Sequence, residues 1–278
     1  MTDKRIEAKQ FARTGKWDSR HRTGALILLA FLFLIFLAGS GLFIGEENLE
    51  INFNRKNEPP SFSHPFGTDW LGRDMLARTF KGLSLSFWIG LSAAAISTMI
   101  AILLSILAAW NKILDGIVTW LIDLFLSLPH IVLLLLISFS LGGGYKGVII
   151  GLALTHWPSL TRLFRGELMQ IKEAEYVGIS RNLGKSYFWI VRHHYLPYFI
   201  PQIMVGFVLL FPHAILHEAA ITFLGFGLPP EQPAIGIILA ESMQYLSMGL
   251  WWLAFFPGLS LFFMVSAFDF IGKKLQRF

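Results

Sequence analysis

The sequence predicts an all-helical polytopic membrane protein with six transmembrane helices, and three observations carry that prediction. Of its 278 residues, 54% are hydrophobic and only 15% are charged, against about 25% charged in an average soluble domain. Six apolar windows are separated by more polar segments. Of the 23 basic residues, 17 fall in the alternate segments read as inner, and five of the other six lie in the long segment Gly45 to Ser84, where six acidic residues offset them and the positive-inside rule acts weakly. With so much apolar surface and no cysteine, an ordinary soluble domain, a disordered tail and a disulfide scaffold are all excluded.

A span needs about 20 mostly apolar residues, because roughly 30 Å of hydrocarbon is crossed at about 1.5 Å per residue. Gly24 to Ile44 carries no charge and is followed by no convincing small-residue cleavage site, so it reads as a retained helix. Leu85 to Ala109, Gly116 to Leu141, Gly147 to Leu160, Tyr198 to Ile221 and Leu250 to Ile271 follow, the fourth short and extending toward Arg162. The chain then divides into a cytoplasmic amino-terminal segment (1–23), a first helix (24–44), an external segment (45–84) and a five-helix core (85–278) with an inner loop near 165–197. An even number of spans puts both termini on the cytoplasmic side of the cell (inner) membrane. Lys4 to Arg22, Lys112, Arg162 to Arg192 and Lys273 to Arg277 share that side, while the outer loop after Phe223 has neither Lys nor Arg. The net charge of +5 is therefore a topology signal rather than a nucleic-acid patch. Phe11, Trp17 and the basic residues around them suit either an interfacial helix or a disordered stretch.

Helices in lipid associate by close approach at small residues. Ser97, Ala101, Ser105 and Ala109, four residues apart, predict one smooth packing stripe. Pro129, Pro158, Pro212 and Pro257 each remove a backbone bond and permit kinks. Lys172 to Pro201 is too polar to span and too apolar for a free linker. Within it Tyr176, Ile179 and Leu183 share one helical face ended by Gly184, a face for the membrane surface or for the groove of a cytoplasmic partner.

On the outer side, Gly67, Gly72, Asp69, Arg73 and Asp74 suit a turn entering a helix, either as a salt-bridged cap or as a substrate contact. Gly225, Gly227, Pro229 and Pro230 make a constrained turn. Ionisable groups inside spans are costly and suggest roles; the candidates are His130, His156, His213, His217, Glu218, Asp123 and Asp269. The two aspartates suit pairing near inner helix ends. The histidines are either hydrogen-bonded packing residues or the lining of a passage for a metal or metal chelate. His217-Glu218 resembles the start of a zinc-protease helix, but Ile221 stands where the second histidine belongs. His213, one turn earlier, keeps a two-histidine face possible with no assured third ligand, so no stable metal site is expected. Gly184-Lys185-Ser186 imitates the end of a phosphate loop, but five residues separate Gly178 from Gly184 where the motif has four, so nucleotide binding is not expected.

Three motifs resemble those of a known family. Gly184 followed after a spacer by Leu196-Pro197 is similar to the cytoplasmic coupling loop of ABC-importer permeases, with Gly178-Ile179-Ser180 where the family has Glu-Ala-Ala and His194 where it has Ile. His64-Pro-Phe-Gly-Thr-Asp-Trp-Leu-Gly-Arg-Asp-Met-Leu-Ala-Arg resembles the signature of the dipeptide, oligopeptide and nickel permeases of the second-subunit type, with Ser84 in place of a usual arginine. Phe223-Leu-Gly-Phe-Gly is close to that family's outer-loop motif.

The resemblance implies a type I importer permease fold and a subunit that performs no covalent chemistry itself. It implies ATPase coupling through Glu175, Tyr176, Ile179, Ser180, Arg181, Gly184, Lys185, Leu196 and Pro197. It also implies an outward face toward an external binding protein built from Gly67, Thr68, Asp69, Gly72, Arg73, Asp74, Phe223, Leu224, Gly225 and Gly227. The implied partners are a homologous permease, two cytoplasmic ATPases that hold ATP and Mg, and membrane lipid, with no nucleic acid and no cofactor on this chain. The contexts of His156 and His217 look like the nickel branch, so a metal chelate is the expected cargo, with His156, His213, His217 and Glu218 along its path. Peptides are the alternative cargo, and a membrane-embedded metallohydrolase using His217 and Glu218 is a further one.

Overall fold

In the computed structural model, which describes residues 24–45 and 49–275, the uncharged helix α1 (Gly24–Phe43) leads through an outer segment into the 36-residue α2 (Met75–Trp110). The expectations for 1–23 lie outside the described residues. After α2 the chain runs through α3 (Lys112–Ser127), α4 (His130–Ser140) and α5 (Gly144–Lys172). Two short inner helices follow, α6 (Glu175–Asn182) and α7 (Tyr187–Ile190), and a π-helical turn (Val191–Tyr195) feeds α8 (Leu196–Phe223). A short outer helix α9 (Ile235–Met243) and the last helix α10 (Trp252–Leu275) complete the chain, and no strand occurs among the described residues.

By length and composition α1, α2, Gly206–Phe223 of α8 and Trp252–Lys274 of α10 are able to cross a membrane. The α3–α4 pair adds a fifth if its halves, bent by 96°, count as one span. Leu128-Pro129 causes that break, because proline removes a backbone donor and restricts the residue before it. The continuous span expected over Gly116 to Leu141 is therefore two helices. The expected count of six turns on α5, whose middle is diluted by Thr155, His156, Ser159 and Arg162. Its apolar residues Val148, Leu152, Phe164 and Leu168 are buried against neighbouring helices, so α5 needs less lipid-facing apolar surface.

Two boundaries also differ from the sequence expectation. The external segment ends at Asp74, well before Ser84, because the Asp74 carboxylate caps α2 by accepting from the Ala77 amide at 2.8 Å. The charges of Arg78 and Lys81 in the first turns hide that start from a hydropathy reading. The inner loop begins after Lys172, since α5 continues without a break past Arg165.

α2 is the central post, packed on α3, α5, α8, α9 and α10. Ser97, Ala101, Ser105 and Ala109 are all buried, and Ser105 Oγ lies 3.4 Å from the Thr161 carbonyl of α5, so the small-residue stripe is the α2–α5 seam. Phe164, Phe199, Phe211, Ile215 and Met264 close the main core. α1 stands at the edge, with 17% of its apolar window buried against 56% for α8. It still meets α2 closely. A Cβ on Gly41 would lie 2.7 Å from Ser84 Oγ, which donates to the Ala38 carbonyl at 2.8 Å. Ser84, where the family has arginine, is a small residue at a helix crossing.

Candidate functional site

The outer segment is a folded knot that uses its polar groups internally. Asp69, fully buried, accepts from the amides of Leu71 and Arg73 at 2.8 and 2.9 Å, from Arg73 Nε at 2.7 Å and from Arg78 Nη1 at 2.8 Å. Arg78 is only 2% exposed and donates its other arm to Glu241 of α9 at 2.7 Å. Charge-assisted bonds of this kind satisfy a buried guanidinium that would otherwise be strongly destabilising. Trp70 lies under both arginines, each 5.5 Å from the ring centroid, and stacks on Tyr245 at 4.7 Å.

Thr68 Oγ1 receives the Glu58 amide at 2.9 Å and donates to the Arg55 carbonyl, while Asp74 also meets His64 Nδ1 at 2.7 Å. Gly67 and Gly72 have φ of +72° and +76°, and a Cβ on Gly72 would lie 1.8 Å from the Asn52 carbonyl oxygen. Of the two readings of this motif, the salt-bridged cap describes the geometry. Arg78 closes the motif quoted from the sequence, whereas Glu241 of α9, its long-range partner, carried no sequence signal.

The second outer motif is a tight turn that presents apolar side chains. Gly225 has φ of +83°, and a Cβ on Gly227 would lie 2.1 Å from Thr222 Oγ1. The Gly227 carbonyl accepts from the Gly144 amide at 3.0 Å, tying the turn to the start of α5. Phe223, Leu224 and Phe226 are exposed around it.

At the Trp110 end of α2, α6 and α7 form a compact bracket. Tyr176, Ile179 and Leu183 are 50%, 60% and 72% exposed, so the apolar face read from the sequence points away from the subunit, with Phe188 beside it. Val177 on the opposite face is fully buried and anchors the helix. Gly184 ends α6 with φ of +76° in open space, and Ser186 caps α7. Tyr187 donates its hydroxyl to the Ile106 carbonyl and stacks on Trp110 at 5.2 Å, locking the bracket to the end of α2. Burial pushes the Tyr187 hydroxyl well above its usual range, so it stays protonated as that donor.

Ser180 Oγ lies 2.8 Å from His194 Nε2, so two departures from the family pattern meet in one hydrogen bond. Lys185 sits over the Trp189 ring at 5.0 Å. Arg181 and Lys185, with Lys112 and Lys172, line a cavity of about 530 Å³ beside Tyr187. Leu196 and Pro197 open α8 at the end of the π turn.

His156 and His217 come together with His130, whereas His213 is exposed and outside that group. In place of the two-histidine face that the sequence left possible on α8, the cluster draws on three helices, with His130 at the start of α4 just after the bend at Pro129. Glu218 is fully buried and accepts from Thr222 Oγ1 at 3.0 Å through one carboxylate oxygen, while the other has no hydrogen-bond partner among the described residues. Asp123 pairs with Arg162 at 2.6 Å and Asp269 with Lys273 at 2.6 Å, so both aspartates are ion-paired.

An apolar helical bundle with an exposed amphipathic bracket at one end of α2 and a folded knot at the other is the form of a transporter's membrane subunit. Residues 101–278 match the family described as the binding-protein-dependent transport system inner membrane component. A Brucella abortus protein provisionally named a peptide transport system permease is 33% identical over 259 residues, covering 92% of this chain and 87% of its own length. The dipeptide transport system permease protein of Bacillus subtilis is 32% identical over 251 residues, covering 90% of this chain and 78% of its own length. A Brucella suis protein provisionally named a peptide permease is 36% identical over 231 residues, covering 82% and 76%. The chain belongs to the binding-protein-dependent inner-membrane family, as an integral membrane permease subunit of an ABC importer. The metallohydrolase alternative has no support in these relatives.

Proposed function

We propose that this permease carries di- or oligopeptides. The observation behind this reading is that relatives named for peptide transport align along 92% and 90% of the chain. The nickel or metal-chelate cargo expected from the sequence has no counterpart in those names and becomes the second reading, kept because three histidines converge inside the bundle.

In this reading the chain pairs with a homologous permease, receives cargo from an external binding protein and is driven by two cytoplasmic ATPases, which hold ATP and Mg. Both termini face the cytoplasm. The bracket around Glu175, Tyr176, Ile179, Ser180 and Arg181, with Gly184 and Lys185, transmits ATPase closure to α8 through Leu196 and Pro197. Its exposed apolar face is suited to a partner's groove. Energy then reaches the spans as a rigid displacement between two states.

Uptake of a labelled dipeptide and of labelled nickel, measured separately in cells with and without the gene, tests the proposal. Loss of dipeptide uptake on deletion is the expected result. Unchanged dipeptide uptake with lost nickel uptake would overturn it in favour of the second reading.

A further inference from the structure

His130 opens α4, His156 lies midway along α5 and His217 lies on α8. One ring nitrogen from each lies within 4.8 Å of the other two. The ring centroids are 4.5, 4.5 and 5.3 Å apart at interplanar angles of 82°, 41° and 62°, so the rings converge rather than stack face to face.

The hydrogen-bond chemistry fixes what they present. His156 is 8% exposed and its Nδ1 is 2.8 Å from the Leu152 carbonyl. A carbonyl can only accept, so Nδ1 carries the proton in the neutral ring and Nε2 presents a bare lone pair. That Nε2 is buried without a partner, and so is His130 Nδ1. Buried polar atoms are nearly always partnered, and exceptions mark unusual chemistry or a bound ion. A ring nitrogen tied to a backbone carbonyl while the other faces inward is also how metal-binding histidines are oriented.

We infer that His130, His156 and His217 form an intramembrane binding site for one divalent first-row transition ion, with a coordination position left open for a ligand carried by the cargo. Imidazole nitrogens without thiolate or carboxylate select ions such as Co²⁺, Ni²⁺, Cu²⁺ or Zn²⁺ over Mg²⁺ and Ca²⁺. At metal–nitrogen distances of about 2.0–2.1 Å, a tetrahedral ion holds its ligand nitrogens roughly 3.3 Å apart. The cluster reaches that spacing by rotation of the half-buried His130 and His217 rings toward His156, which the Leu152 carbonyl anchors. The amino terminus and amide nitrogens of a short peptide chelate the same ions, so the cargo clause rests on the peptide reading, while the ion site stands without it.

The test uses the full chain purified from membranes on a histidine-free affinity tag and titrated with Co²⁺, whose visible absorption reports its coordination. One saturable equivalent is expected. His156→Ala should weaken it at least tenfold, His130→Gln should do so with less disturbance of packing, and His193→Ala, in the inner π turn, should leave it unchanged. No saturable binding, or wild-type affinity and spectrum in both His156→Ala and His130→Gln, overturns the site and leaves the peptide reading standing. Absent dipeptide uptake by unmodified cells overturns the peptide reading and leaves the ion site standing.

Discussion

The outer knot and the inner bracket are both polar segments between spans, and they are built in opposite ways. In the knot, buried Arg78 pairs with both buried Asp69 and the partly exposed Glu241, and Gly72 sits where a single methyl group would collide with backbone. In the bracket, Tyr176, Ile179, Leu183 and Phe188 point outward, and Gly184 has open space around it. A segment that satisfies its own polar groups is a fixed support. A segment that leaves apolar side chains uncovered while anchored by Val177 and Tyr187 has the form that the proposed coupling to a partner needs.

Substitutions separate the two designs, and the largest effect belongs to the knot. Arg78→Ala leaves Asp69 buried beside a lost partner and should destabilise the purified protein by about 3–5 kcal/mol. Thermal unfolding in detergent measures it, and a loss under about 1 kcal/mol would show the network to be dispensable. Gly72→Ala combines a left-handed φ with a backbone collision and should cost more than the roughly 1–3 kcal/mol of conformational strain alone.

Gly184→Trp meets the strain without the collision, so the subunit should insert and accumulate normally. Its failure is expected in function: ATP hydrolysis continues but uptake is lost, because on the proposed coupling surface the indole would stand where an ATPase docks. Normal uptake at normal expression would remove Gly184 from the coupling surface.

Tyr187→Phe removes one donor to the Ile106 carbonyl and should cost about 1 kcal/mol, with a proportionate loss of coupling. Smallest in stability is Ile179→Ser, expected within about 0.5 kcal/mol of wild type because the side chain touches little of its own subunit. Its uptake should nevertheless fall. If Ile179→Ser lowers the melting temperature as much as Arg78→Ala, the contrast between the two segments is wrong.

Much of the scaffold was legible because the signals are local. A charge-free run such as Gly24 to Phe43, the serine and alanine stripe of α2, and the face shared by Tyr176, Ile179 and Leu183 all follow from one helix's periodicity. The start of α2 was hidden because Arg78 and Lys81 make its first turns look soluble. The neutralising partners of Arg78 are Asp69 and the distant Glu241. The short α9 was missed because nine residues are too few to span, although Ile235 and Ile238 are fully buried.

The sequence by itself determined the membrane class, the apolar helices, the packing stripe and the amphipathic inner segment, since each depends on the order of residues along one element. Only the tertiary structure decided that His130, His156 and His217 converge while His213 does not, that Ser180 meets His194, and that Arg78 joins the outer segment to α9. Those encounters depend on the bend at Pro129 and on how closely the helices approach, and neither quantity is carried by the local pattern of residues.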